Sequence, residues 1–74
     1  MGLTIKPKEM VKFLESKGYK FVRARGSSHH IYSDGKHTVS VPIHGGREFD
    51  ESLIKKILKE AKIQKSSLLR YLNR

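Results

Sequence analysis

The chain has 74 residues and a mass of 8.5 kDa, which is enough for one small domain. It contains no cysteine, and this excludes a disulfide framework and a thiolate zinc site. No apolar run reaches the roughly 18 residues that a membrane-spanning helix needs, and no signal peptide is expected. We therefore predict a single cytoplasmic domain over residues 1–74 that makes no contact with a membrane.

The charge balance is the first indication of a binding partner. Sixteen Lys and Arg residues against seven Asp and Glu give a formal net charge of +9 at pH 7 and a pI near 10.1. Charge of one sign attracts polyanions and accelerates their encounter with the protein. Nucleic acid is the polyanion that this charge favours most, an acidic protein comes second, and a basic surface without a partner is the remaining alternative.

A helix and two short strands are predicted for the first part of the chain. Pro7 suits the first turn of a helix, where its missing N–H is not needed, and Gly18 offers a left-handed end. Between these two residues, apolar side chains recur at three- and four-residue spacing. The pattern then changes to two strands at residues 21–25 and 29–32, and Gly26-Ser27 between them is a turn signal.

A hairpin turn, a third strand and a second helix are predicted to follow. Asp34-Gly35 predicts a two-residue turn with positive φ at both positions. Residues 38–43 alternate between polar and apolar side chains, which indicates one buried and one solvated face, and Pro42 places this strand at an edge or ends it. Asp50 is a suitable N-cap for a helix whose apolar stripe runs from Leu53 to Ala61.

These elements give the order α–β–β–β–α, and a last short helix is predicted at residues 67–72. All of the apolar stripes are buried in an α+β fold if a three-stranded antiparallel sheet packs the helices against one of its faces. The other face of the sheet is then left to solvent, and we expect the functional residues there.

All four histidines fall between residues 29 and 44, which raises the question of metal binding or proton transfer. His29 and His30 are adjacent, so in a strand they point to opposite faces and do not chelate one ion. No His-x-His pair appears, and we expect no metal site and no cofactor. Imidazole is instead the usual proton-transfer group near neutral pH. Because RNA carries its own 2′-OH nucleophile, a basic surface with one histidine has the minimum parts for RNA cleavage.

Each histidine also has a structural interpretation. His37 is predicted to be an exposed strand residue beside the hairpin turn. His44 either fixes a loop through a hydrogen bond or contacts a substrate, and the sequence favours neither. One member of the pair His29 and His30 must face the helices or lie near the edge of the core.

Several short motifs follow one another in a fixed order, and no single one is specific. They are the Arg-rich strand Arg23-Ala24-Arg25, the Gly26-Ser27-Ser28 turn, His29-His30-Ile31-Tyr32, the Asp34-Gly35 turn, Val39-Ser40-Val41-Pro42-Ile43-His44 and a closing Lys-rich helix. From Lys8 to Ala61 this order resembles the HicA toxin family of bacterial toxin–antitoxin systems. The resemblance implies a double-stranded-RNA-binding-domain-like fold and a metal-independent endoribonuclease (mRNA interferase) that cleaves mRNA. It also implies a HicB-type antitoxin that covers the active site.

The resemblance also implies which residue is catalytic. The family's catalytic histidine directly follows a Gly-Ser pair, whereas Ser28 intervenes here. Aligning Ser28-His29-His30 with the family's Ser-His-His run makes His29 the catalytic histidine, with Ser27 in place of the glycine. Holding Gly26-Ser27 fixed puts Ser28 at the catalytic position and leaves no imidazole there. The first alignment keeps more matches, so we predict that His29 is the catalytic histidine, and His30 is the second candidate.

A set of cationic and turn residues is predicted to hold the RNA. Arg23 and Arg25 alternate along one strand, so they face the same side and can contact successive phosphates. A glycine-containing turn lets backbone N–H groups approach a phosphate. The predicted RNA-binding residues are Arg23, Arg25, Gly26, Ser27, Ser28, Lys36 and Arg47.

Two questions stay open from the sequence. Lys55, Lys56 and Lys59 are more typical of a solvated helix face than of an RNA-binding surface. The second proton-transfer group is Ser28, Tyr32, His44 or water.

The alternatives to a ribonuclease are a non-catalytic RNA-binding module of the same fold and an interaction domain for an acidic protein.

Overall fold

A computed structural model describes residues 2–26, 28–43 and 47–73 of the chain. Three antiparallel strands form a sheet in the order β1-β2-β3, and this confirms the predicted α+β class and the α–β–β–β–α order. The third helix is present and begins two residues earlier than predicted. The elements are α1 (Pro7–Ser16), β1 (Lys20–Arg25), β2 (His29–Ser33), β3 (Thr38–Pro42), α2 (Glu51–Ala61) and α3 (Lys65–Leu72).

The ends of α1 follow the local sequence. Pro7 is its first residue, and the Glu9 carboxylate accepts a hydrogen bond of 3.1 Å from the backbone N–H of Lys6 just before it. Gly18 has φ +93°, a conformation that side chains with a Cβ adopt at a steric cost. The chain therefore leaves α1 through this glycine and enters β1 at Lys20.

The turn between β2 and β3 differs from the prediction. Four residues, not two, separate the paired residues Ser33 and Thr38, and only Gly35 has a positive φ. The carboxylate of Asp34 accepts hydrogen bonds from the backbone N–H groups of Lys36 (2.9 Å) and His37 (2.7 Å). The backbone N–H of Asp34 also donates to the carbonyl of His37 at 3.2 Å, so Gly35 and Lys36, not Asp34 and Gly35, form the tip of the turn. The prediction of two left-handed residues was wrong because the Asp34 side chain accepts the N–H groups of this turn.

The two faces of the sheet have different surroundings. Tyr32, Val39 and Val41 share one face, which we name the helix face, and they belong to the single core cluster with the helices. The opposite face, which we name the open face, carries His29, Ile31 and Ser40 and takes no part in that cluster. The core cluster consists of Ile5, Met10, Phe13, Leu14, Tyr19, Tyr32, Val39, Val41, Phe49, Ile54, Ile57, Leu58, Ala61 and Leu68.

The second helix is defined at both ends. The Asp50 carboxylate accepts the backbone N–H of Leu53 at 2.9 Å, which confirms the predicted N-cap. At the other end Lys62 adopts a left-handed conformation with φ 60°, and its N–H bonds back to the carbonyls of Leu58 and Lys59. The helix packs beside β3, and this brings its residues to the edge of the open face.

Within the ranges that the structure describes, no helix combines the length and the apolar character that crossing a bilayer requires.

Candidate functional site

His29 is the first residue of β2 and lies on the open face with its side chain exposed. In the register of the sheet it stands directly between Arg25 of β1 and Pro42 of β3. Its Nδ1 lies 3.4 Å from the hydroxyl of Ser28. The imidazole is thus reachable from solvent and has a cationic residue on the neighbouring strand.

The turn before His29 is built by local backbone geometry. Gly26 has φ +63°, which explains the glycine directly after β1. The Ser28 carbonyl accepts a hydrogen bond of 2.6 Å from the N–H of Ile43, so the pairing of β2 with β3 continues one residue beyond the strands. Ser27, predicted to bind RNA, lies outside the described residues. His29 therefore lies on the open face at the end of the sheet where β1 ends and β2 begins.

A bulge in β1 places Phe21 and Arg23 on opposite faces of the sheet. Phe21 pairs with Tyr32, and Arg23 pairs with Ile31, so two residues of β1 advance by only one on β2. In a regular strand, residues 21 and 23 would lie on the same face, because side chains alternate. The bulge places Phe21 on the helix face, with its ring 5.4 Å from the His30 ring, and both arginines on the open face.

Helix α2 contributes the opposite wall of the site. A cavity of about 140 Å³ beside His29 is lined by His29, Ser40, Pro42, Leu53, Lys56, Ile57 and Glu60. It adjoins a larger open depression of about 690 Å³, which we name the cationic groove, lined by Arg25, Ile31, Thr38, Ser40, Lys56, Lys59, Glu60 and Lys62. The sequence favours a solvated face for the α2 lysines, whereas Lys56 and Lys59 line this groove. Helical spacing was the available signal, because residues 56, 59 and 60 share one side of a helix.

The cationic groove carries an excess of positive charge. Its four cations face one carboxylate, Glu60, whose Oε1 accepts the backbone N–H of Ser40 at 3.4 Å. In the described part of the chain, the ion pairs join Asp34 to His37 and Glu51 to Lys55 and Lys65, and none includes a groove cation. The charge of the groove is therefore left for a bound anion.

Two of the predicted residues lie on the helix face instead. His30 is half-buried beside α1, next to Phe21. Tyr32 is buried, and desolvation by that burial raises the pKa of its phenol. Neither side chain shares the open face with His29, so the structure does not bring the second candidate histidine or this candidate proton-transfer group to the site.

The remaining predicted residues are spread around the sheet. Lys36 lies in the β2–β3 turn, at the far end of a strand that rises about 3.3 Å per residue, so it is on the order of 13 Å from the His29 end. His37 precedes β3 rather than lying in it, and its Nδ1 is 3.7 Å from a carboxylate oxygen of Asp34. Arg47 is exposed in the segment before α2. His44 lies outside the described residues.

A comparison with protein families matches most of this chain to a known family. A family model described as HicA toxin of bacterial toxin–antitoxin systems matches residues 7–63. The matched range begins with α1, ends two residues after α2 and includes His29, Arg25 and every residue of the cationic groove. Comparison with curated proteins and with solved structures gave no match.

Proposed function

The chain belongs to the HicA toxin family of bacterial toxin–antitoxin systems, and from this membership we propose that it is a metal-independent endoribonuclease that cleaves mRNA. The observation that carries the proposal is the position of His29, which is exposed on the open face between Arg25 and the cations of α2. An imidazole among unpaired cations is suited to proton transfer at a phosphodiester.

The chemistry that this arrangement supports is transesterification within the RNA chain. The 2′-oxygen loses its proton to a base and forms a bond to the adjacent phosphorus, while the bond from phosphorus to the 5′-oxygen breaks. The departing 5′-oxygen takes a proton, and the products are a 2′,3′-cyclic phosphate and a 5′-hydroxyl. We assign His29 one of the two proton transfers, and the surrounding cations stabilise charge on the non-bridging oxygens.

The partner of this toxin is proposed to be a HicB-type antitoxin that covers the open face. Membership of a toxin–antitoxin family implies an antitoxin partner, and its HicB type and its position on the open face are part of the proposal. The unpaired cations of the cationic groove favour acidic residues on the surface that docks there. Binding of this kind would exclude RNA and neutralise the groove in one step.

His29→Ala tests the catalytic proposal. We expect the variant to fold and to lose about 10²–10⁴-fold of its rate on labelled RNA, because general acid–base catalysis contributes that much. The assay contains EDTA, so it also tests independence from metal ions. His30→Ala is the matched control, since the neighbouring imidazole lies on the helix face, and it should keep its activity. Unchanged cleavage by His29→Ala would show that the assignment is wrong.

A non-catalytic RNA-binding module is the second candidate. It is favoured by one observation, the departure of Ser28 from the family pattern directly before His29. This alternative predicts RNA binding without cleavage products over hours, with log affinity falling by roughly 0.7 per phosphate contact for each decade of salt. Failure of the purified chain to bind any RNA would instead support an acidic protein as its partner.

A further inference from the structure

Lys55 and Lys56 are neighbours in sequence and have different surroundings. The Nζ of Lys55 lies 3.6 Å from the Glu51 carboxylate one turn earlier, and 63% of its side chain is exposed. Lys56 is one helical step of about 100° further round α2 and lines both the cavity beside His29 and the cationic groove. Of these two lysines, Lys56 is the one that lines the site.

The acidic residue closest to Lys56 along the helix lines the same cavity but forms no ion pair with it. Glu60 follows Lys56 by four residues, a spacing that permits an ion pair, although the order Lys before Glu is the weaker one. The Glu60 carboxylate instead accepts the N–H of Ser40, and in the described residues Lys56 forms no ion pair within 4.0 Å. The Lys56 ammonium group therefore has no direct ionic partner among the described residues, although the Glu60 carboxylate lines the same cavity.

Lys56 and Arg25 lie on opposite sides of His29. Arg25 pairs with His29 from β1, and Pro42 of β3 pairs with it from the other side, beyond which α2 begins. Neighbouring strands are about 4.8 Å apart, so a phosphate above the imidazole is within reach of a long cationic side chain from each side. A guanidinium and an ammonium group would then share the charge of its non-bridging oxygens.

We propose that the Lys56 ammonium group contacts the scissile phosphate of bound RNA from the side opposite Arg25. This inference rests on the proposed function and adds to it a second group that acts on the reacting phosphate. It assigns to α2 a direct part in catalysis, beyond its part in the core. Lys55, one residue earlier, has no such part.

The test compares Lys56→Gln with Lys55→Gln, which removes the same charge from the neighbouring position. In EDTA, we expect Lys56→Gln to cleave labelled RNA at least about tenfold more slowly, and Lys55→Gln to stay within about twofold of the parent. Lys56→Arg keeps the charge and should restore most of the rate. Thermal unfolding shows whether each variant is folded.

A second measurement separates binding from chemistry. In a His29→Ala background, Lys56→Gln should weaken RNA binding and lower the slope of log affinity against log salt by about 0.7, while Lys55→Gln leaves that slope unchanged. If the two Gln variants behave alike in a parent that cleaves, the inference fails and the proposed function stands. If the parent binds RNA without cleaving and only Lys56→Gln weakens binding, the proposed function and the catalytic part of Lys56 both fail, and a contact between Lys56 and a backbone phosphate stands. A parent that neither binds nor cleaves RNA overturns both.

Discussion

Tyr19 shows how one hydroxyl group joins distant parts of this short chain. Its side chain is buried, and its hydroxyl donates a hydrogen bond of 2.7 Å to the carbonyl of Ala61. Ala61 is the last residue of α2, and a carbonyl in that turn has no partner within its own helix. Tyr19 therefore connects the segment between α1 and β1 to the end of the helix that carries Lys56.

Tyr19→Phe should destabilise the protein by about 1–2 kcal/mol, because it leaves the buried carbonyl of Ala61 without a donor. For a domain of this size, each kcal/mol lowers the melting temperature by about 4–8 °C. Tyr71→Phe is the control. Tyr71 is 46% exposed and packs its ring on Phe13, a contact that phenylalanine keeps. Equal melting temperatures for the two variants would contradict the role of the Tyr19 hydroxyl.

At the scale of elements, α2 ends in a conformation that its sequence does not favour. Lys62 adopts φ 60° directly after the last helical residue, where glycine is the usual choice. A side chain with a Cβ in this region costs roughly 1 kcal/mol. The end of the helix is thus held by its surroundings, which include the bond from Tyr19, rather than by the preference of the residue itself.

The same substitution should therefore have opposite effects at two positions of this segment. Lys62→Gly should stabilise the protein by up to about 1 kcal/mol, because it removes the steric cost. Lys59→Gly, inside the last turn of α2, should destabilise it by about 1 kcal/mol through the lost helix propensity. Both variants lose one positive charge, and chemical denaturation measures both effects. A loss of stability in both variants would show that the left-handed residue carries no strain.

The elements were more predictable from the sequence than their faces. Apolar periodicity was sufficient for α1, β3 and α2, and alternation was sufficient to separate His29 from His30. Which of the two lies on the open face depends on tertiary packing, and the face of Phe21 depends on the bulge at Val22, which has no local signature. Lys56 could not be singled out for the same reason, since its surroundings are set by the packing of α2 beside β3.

At the scale of the whole molecule, Glu51 holds three segments together. Its carboxylate accepts the N–H of Leu3 at 3.3 Å, contacts Lys65 at the start of α3 at 2.6 Å, and lies 3.6 Å from Lys55 of its own helix. The hydrogen bond from Lys65, followed by that from Leu3, lowers the pKa of this carboxyl below its ordinary value of 4.5.

Glu51→Gln should lower the melting temperature at pH 7, and the difference from the parent should narrow in acid. The pKa of the Glu51 carboxyl is lower in the folded than in the unfolded protein. The stabilisation by the ionised carboxylate is therefore complete above about pH 4.5, and it is lost as the pH falls through the pKa of the folded state. Glu48→Gln makes the same change in net charge at an exposed residue and is the control. A difference between Glu51→Gln and the parent that stays constant from pH 7 to acid would contradict this role.

The chemical character of the open face has a consequence for what the protein can distinguish. All six Phe and Tyr side chains are within the described residues, and none of them lines the cavity or the cationic groove. Proteins that discriminate among unpaired bases commonly stack them on aromatic rings and hydrogen-bond their edges, whereas contacts to phosphates carry no sequence information. Under the proposed function, such a surface holds RNA mainly by its backbone, and the folding of the transcript should then weigh more than its base sequence in where it is cut.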